Sequence, residues 1–183
     1  MTKTLNLFVL FIILFSMLSC DNKNGNEITA FYFCGKIESY RQLDCATLDS
    51  LCKMSDYDDT IFIDSNMAEK FKRGVKEAKI QECNNSLTPI IYVNFGSMEL
   101  CLSETDNFCW VKQSNGNYNT SVLSNKIAYL LKWKSKYYNH LSSVDLKFDK
   151  GIQQFGVPSD YKCEKPNKMM KRKEAYKVLI KII

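Results

Sequence analysis

The most regular pattern of apolar residues lies between Pro89 and Ser103. Two apolar runs, Ile90–Phe95 and Met98–Leu102, flank Gly96-Ser97, a pair typical of a two-residue hairpin turn. With that turn, alternate residues of both runs share one face of a sheet: Ile91, Val93, Phe95, Met98, Leu100 and Leu102. Phe108–Lys112 can return as a third antiparallel strand. We therefore expect a central hairpin over about residues 89–112.

Helical spacing of apolar residues predicts two main helices. The first is capped by Asp64 or Ser65 and extends over about residues 65–82. Its apolar face is formed by Met67, Phe71, Val75 and Ala78, and its other face by Glu69, Lys70, Lys72, Arg73, Lys76, Glu77 and Lys79. We interpret this charged face as a solvated surface. The second helix, Thr120–Leu141, carries a broad apolar stripe.

Shorter elements fill the remaining chain. Strands are predicted for Ile28–Cys34, Thr60–Ile63 and Ala175–Ile183, and helices for Leu43–Cys52 and Leu146–Phe155. Strands and helices follow one another without regular alternation. This order predicts one α+β domain over residues 28–183, with an antiparallel sheet packed by helices.

The first nineteen residues have the features of a secretory signal peptide. Lys3 precedes the apolar run Leu7–Phe15, which is much shorter than the roughly 20 residues of a transmembrane helix. Met17-Leu18-Ser19-Cys20 resembles the lipobox of bacterial lipoproteins. The resemblance implies cleavage before Cys20 and a diacylglyceryl thioether on Cys20. It also implies a lipid anchor in a bacterial membrane, on the periplasmic or the surface side of the cell envelope.

Residues 20–27 are polar and turn-rich after Cys20, which is typical of a flexible tether. The chain carries a formal net charge of +5. Export would take it away from nucleic acid, so a nucleic-acid partner is not expected. We expect the membrane, through the lipid, and a protein or an anionic envelope component as partners.

Eight cysteines are unusual for a chain of 183 residues. With Cys20 lipidated, seven are disulfide candidates in an oxidising envelope: Cys34, Cys45, Cys52, Cys83, Cys101, Cys109 and Cys163. Cys45 and Cys52 would lie about 10.5 Å apart along an unbroken helix, too far for a bridge. The odd number leaves at least one thiol unpaired, either buried as a small apolar group or acting as a nucleophile.

A basic segment near the C-terminus is the candidate binding site: Lys165, Lys168, Lys171, Arg172 and Lys173. It either contacts an anionic partner or forms a solvated loop. The single histidine, His140, is predicted to end the long helix in a structural role. Ser159 and Lys162 have Ser-x-x-Lys spacing without the companion motifs of penicillin-recognising enzymes. Asp56, Asp58 and Asp59 lack the glycine and glutamate of a calcium loop. No cofactor, metal site or catalytic residue is predicted.

These observations favour a lipid-anchored envelope protein that acts by binding. Two subclasses stay open, an accessory or ligand-binding lipoprotein and an immunity protein that neutralises a toxin. The alternative is an envelope hydrolase or transferase that uses carboxylates or a cysteine. A pocket with two converging carboxylates would favour the enzyme, whereas a broad charged face would favour binding.

Overall fold

One eight-stranded, mostly antiparallel sheet organises the chain in the computed structural model, which describes residues 26–33, 43–82, 87–104, 106–163 and 175–183. The strands are β1 (Glu27–Phe33), β2 (Asp59–Ile63), β3 (Lys79–Ile80), β4 (Pro89–Asn94), β5 (Glu99–Ser103), β6 (Phe108–Lys112), β7 (Tyr118–Val122) and β8 (Ala175–Ile182). Their order is β2-β8-β1-β4-β5-β6-β7-β3. The α+β class and the single small domain are confirmed.

Four α-helices lie within the described residues: α1 (Cys45–Met54), α2 (Ser65–Lys76), α3 (Asn125–Lys134) and α4 (Lys150–Phe155). Side chains of α2 and α3 pack with one face of the sheet in the larger apolar core. The opposite face carries a smaller core with α1, in which Leu48 packs with Phe31 and Tyr92. Among the described residues, no helix is long and apolar enough to cross a membrane.

The strand registers define two ends of the sheet. Thr29 near the start of β1 pairs with Asn94 at the end of β4, so the chain enters the sheet at that end. Phe108 at the start of β6 pairs with Val122 at the end of β7, and Val122 pairs with Lys79 at the start of β3. Because β4 to β7 form an antiparallel meander, Val122 and Lys79 lie at the end of the sheet opposite Glu27.

The predicted central hairpin is confirmed both in its position and in the face of the sheet on which its apolar residues lie. Phe95 N–H donates to the Met98 carbonyl at 2.8 Å and closes a loop of Gly96-Ser97. Gly96 has a φ of +81°, a conformation that favours glycine, and its N–H donates to Asn94 Oδ1 at 2.6 Å. The apolar faces of β4 and β5 lie together in the larger core, as the alternation predicted.

The helix boundaries differ from the predictions. The predicted helix Thr120–Leu141 divides into the end of β7, then α3, and then a 3-10 turn over Tyr137–His140. Ser124 caps α3 by accepting from the Ile127 N–H, and Lys136 with φ 62° ends the helical path. Similarly, the predicted helix over 65–82 ends at Lys76, because the chain turns into β3.

The prediction for Leu146–Phe155 is also corrected. A 3-10 turn covers Asp145–Phe148, and Asp149 then starts α4 by accepting from the Ile152 N–H. The predicted helices divide at Ser124 and Asp149 for the same physical reason. Each of these side chains caps a new helix, although the apolar spacing continues through the position and by itself predicts one uninterrupted helix.

Candidate functional site: a basic groove between α2 and α3

An open groove of about 620 Å³ lies between α2 and α3 beside β3. Its floor is apolar and is formed by four residues. Ile127 and Val122 are half-buried, and Leu123 and Leu130 are buried. Its rim is polar and exposed: Lys70, Arg73, Glu77, Lys79, Ser124 and Lys126. The groove therefore combines an apolar floor with a charged rim.

Close approach of the two helices shapes the groove at Gly74. A Cβ atom placed on Gly74 would lie 2.5 Å from Ile127 Cγ1, a distance that real side chains do not tolerate. Only a residue without a side chain lets α2 approach α3 this closely. Gly74 therefore allows the charged residues of α2 to lie next to the apolar floor on the α3 side.

Positive charge dominates the rim. The four cations face one carboxylate, that of Glu77, which gives a formal excess of three positive charges. Within the part of the chain that the structure describes, Lys70, Arg73 and Lys79 form no ion pair. Ser124 places the positive end of the α3 dipole at the same groove. An anionic group in the groove would therefore meet cations that are not already neutralised.

Lys126 is positioned differently from the other cations. Its Nζ lies 4.6 Å from the centre of the Phe155 ring and 6.0 Å from that of Tyr129. These contacts are short enough for cation–π attraction, which holds the ammonium without cancelling its charge. Lys126 thus supplies a cation on the α3 side of the groove, held against the rings of Phe155 and Tyr129.

The sequence did not reveal this groove. Lys70, Arg73, Glu77 and Lys79 were interpreted as part of a solvated face, and they are indeed exposed. The sequence did not predict that α3, some fifty residues later in the chain, packs beside that face and adds the apolar floor. The available signal was Gly74, which interrupts an otherwise charged and apolar helix pattern and marks a close contact.

The predicted lipidation and basic-segment residues lie outside the described residues. This applies to Cys20, to the segment Lys165–Lys173, and to Cys34 and Cys83. Their roles stay predictions.

The five described cysteines are free: Cys45, Cys52, Cys101, Cys109 and Cys163. Cys45, Cys52 and Cys101 are buried in the smaller core beneath α1. Burial raises the pKa of Cys52 to about 11 and that of Cys109 to about 12. At neutral pH these two side chains are thiols rather than nucleophilic thiolates.

A second polar cluster lies beneath α1. Asp49 accepts hydrogen bonds from Tyr92 Oη at 2.9 Å and from Lys53 Nζ at 2.8 Å. Lys112 Nζ lies 2.8 Å from Glu99 Oε2 and 4.0 Å from Asp49 Oδ2. The two carboxylates are therefore joined through a lysine, and neither lines the groove. This arrangement ties α1 to the sheet.

The structure also describes the positions of the residues from the weaker sequence motifs. The His140 ring lies 4.0 Å from the ring centre of Tyr176 and 5.4 Å from that of Tyr32, in the 3-10 turn rather than at the end of a long helix. Asp58 Oδ2 accepts from the Lys177 N–H at 2.9 Å, beside β2. Ser159 and Lys162 are exposed. Across the described ranges, no group of His, Cys, Asp or Glu is arranged to hold a metal ion.

Comparisons with protein families, with curated proteins and with solved structures found no match to this chain. The site is therefore interpreted from its own residues.

Proposed function

We propose that the protein is a lipid-anchored protein of the bacterial cell envelope that acts by binding, and that the groove between α2 and α3 binds an anionic partner. The observation that carries the proposal is the excess of cations around an apolar floor. Such a surface attracts an anion at long range and holds an apolar group at contact.

The described polar clusters favour binding over catalysis. Hydrolase or transferase chemistry needs a nucleophile or a pair of carboxylates that a substrate can reach. Asp49 and Glu99 are already paired with lysines, and burial keeps Cys52 and Cys109 protonated. The groove itself presents one carboxylate, Glu77. Both binding subclasses, an accessory lipoprotein and a toxin-immunity protein, are compatible with this surface.

The leader supports the location. Met17-Leu18-Ser19-Cys20 and the apolar run before it would place a lipid on Cys20, and residues 21–26 would connect that lipid to β1. The groove lies at the opposite end of the sheet from Glu27, where β1 begins. An anchored domain would then present the groove away from its point of attachment.

The first experiment tests the anchor. Cys20→Ala should abolish fatty-acid labelling and leave unprocessed precursor, whereas the wild type should resist extraction by salt. Mature protein of unchanged mass from Cys20→Ala would contradict lipidation.

The second experiment tests the groove. Affinity capture with detergent-solubilised, lipidated protein is compared between the wild type and Lys70→Glu/Arg73→Glu. The matched control, Lys76→Glu/Lys181→Glu, makes the same change of charge at exposed lysines that do not line the groove. We expect the groove variant to lose partners that the wild type and the control retain. Equal capture by all three proteins would contradict binding through the groove.

A further inference from the structure

We propose that the partner in the groove is an acidic, amphipathic segment of another protein. Its apolar side chains would pack on the floor formed by the end of β7 and by α3, and its carboxylates would pair with the cations of the rim. The inference rests on the proposed binding function and names the chemistry of the partner.

The two halves of the groove call for an amphipathic partner. Ile127 and Val122 offer apolar atoms that remain partly exposed, so covering them removes apolar surface from water. Lys70 and Arg73 stand three residues apart on α2, about one helical turn, and point to the same opening. A helix with one apolar and one acidic face meets both requirements, and helix-in-groove binding is a common form of peptide recognition.

The open shape favours a macromolecule over a small anion. Small-ligand sites bury about 70–90% of the ligand surface. In this groove the four cations on the rim are exposed, and the opening faces solvent. A free phosphate would contact the rim and leave the apolar floor uncovered. A protein segment covers the floor with its own side chains and extends beyond the opening.

The position in the fold favours a soluble partner over lipid headgroups. Residues 21–26 lead into β1 at Glu27, and the groove lies at the other end of the strands. The seven residues of β1 alone span about 23 Å at the usual rise per residue. With Glu27 directed toward the anchor, the groove would lie about the length of β1 farther from the membrane than Glu27 does.

Charge also disfavours a second copy of the chain. In a two-fold interface the same surface meets itself, so Lys70, Arg73, Lys79 and Lys126 of each copy would face those of the other. Like charges placed together oppose association. An acidic partner instead neutralises the rim.

The experiment selects peptides from a displayed random library of about 15 residues, which is some four helical turns. Full-length, detergent-solubilised protein is the bait, as wild type, Lys70→Glu/Arg73→Glu and Lys76→Glu/Lys181→Glu. We expect the wild type and the control to enrich peptides with net negative charge and apolar residues three and four positions apart. A synthetic peptide from that pool should bind the groove variant about tenfold or more weakly, as expected when two charged contacts are lost.

Competition distinguishes the sources of negative charge. Neither inorganic phosphate nor vesicles containing phosphatidylglycerol should displace the peptide at matched charge concentration. Displacement by either, or enrichment of peptides without acidic residues, would overturn the inference while groove-dependent capture could still support the proposed function. Capture that is insensitive to Lys70→Glu/Arg73→Glu would overturn the proposed function itself.

Discussion

Lys132 Nζ lies 2.7 Å from Asp149 Oδ2, and both side chains are only 2% exposed. The ammonium also donates to the carbonyls of Glu104, at 2.7 Å, and Asp106, at 3.2 Å. Asp149 Oδ1 accepts from Tyr138 Oη at 2.9 Å. This buried pair therefore connects α3, α4 and the loop between β5 and β6, and its polar atoms have partners within the protein.

Removing one member of this pair should be strongly destabilising. Lys132→Met leaves the Asp149 carboxylate buried without its cation, and such losses cost about 3–5 kcal/mol. We expect the midpoint of denaturant unfolding to fall accordingly, with little change in the slope of the transition.

Lys136→Met is the matched control. Lys136 pairs with Asp59 at 2.5 Å, but the two side chains are 41% and 43% exposed, so solvent screens the interaction. Its loss should change the free energy of unfolding by about 0–1 kcal/mol. Equal losses in the two variants would contradict the structural role of the buried pair.

Local patterns predicted the elements whose neighbours are close in sequence. The central hairpin depends on Gly96-Ser97 and on alternation within two adjacent strands, and both its turn and its facing are confirmed. The caps Asp64 and Ser124 act on the next three residues, and Asp64 was one of two candidate caps predicted from sequence, with Ser65 as the other. These features need no knowledge of distant contacts.

Contacts between distant segments could not be predicted from the same patterns. Lys132 lies largely off the predicted apolar stripe, yet its charge is buried because Asp149 and two loop carbonyls surround it. β7 was not predicted because it contains the polar residues Thr120 and Ser121, which nevertheless pair with β6. The groove likewise depends on the approach of α3 to Gly74. Tertiary packing decides each of these cases.

Gly74→Ala should lower stability although alanine favours helices. The intrinsic helix preference gains about 1 kcal/mol, but the new Cβ overlaps Ile127 and overpacking costs about 1–3 kcal/mol. A double-mutant cycle with Ile127→Ala separates the two effects, since truncating the isoleucine leaves room for the added methyl group. We expect Gly74→Ala to be destabilising alone and neutral or stabilising beside Ile127→Ala. Stabilisation in the otherwise unchanged protein would contradict the close contact.

Asp44 should make stability depend on acid pH. Hydrogen bonds from Thr47, first from its side chain and then from its backbone N–H, lower the pKa of Asp44 below the ordinary 3.8. A lowered folded pKa means that the ionised cap stabilises α1 above pH 3.8 and that this contribution is lost as the pH falls through the lower folded value.

Asp44→Ala should lose about 1 kcal/mol at neutral pH, the usual value of an N-cap. Asp44→Asn keeps a capping oxygen without the charge, so it should retain most of the stability and remove the part of the acid dependence that comes from Asp44. The measurement is the free energy of unfolding from neutral to acid pH. Identical pH profiles for the wild type and Asp44→Asn would refute the assignment.

At least two of the seven cysteines other than Cys20 should be bridged in protein isolated from the envelope. A bridge that closes a medium loop contributes about 2–4 kcal/mol. The five described cysteines are unbridged in the structure, so Cys34 and Cys83, which lie outside the described residues, are the first pair to test. Thiols counted in denaturant, without and with reductant, and peptide mapping identify the pair. Seven free thiols before reduction would contradict oxidation.

The basic segment at Lys165–Lys173 should increase the rate of association with an anionic partner and have little effect on the rate of dissociation. Neutralising Lys168, Lys171, Arg172 and Lys173 to glutamine should lower the association rate and flatten its salt dependence, because exposed charges act over about 8 Å at physiological ionic strength. Stability should change by no more than about 0.5 kcal/mol. Lys70→Glu/Arg73→Glu in the groove should instead increase the dissociation rate, because contacts within the complex are lost.

His140→Ala completes this test because it distinguishes binding from catalysis. The imidazole contacts the rings of Tyr32 and Tyr176, so its removal should affect packing and leave partner affinity unchanged in protein that remains folded. Circular dichroism and thermal unfolding check the fold, and surface plasmon resonance gives both rates. If folded His140→Ala loses biological activity while the lysine and groove variants keep it, an envelope hydrolase or transferase becomes the better explanation, since a binding surface does not need the single imidazole.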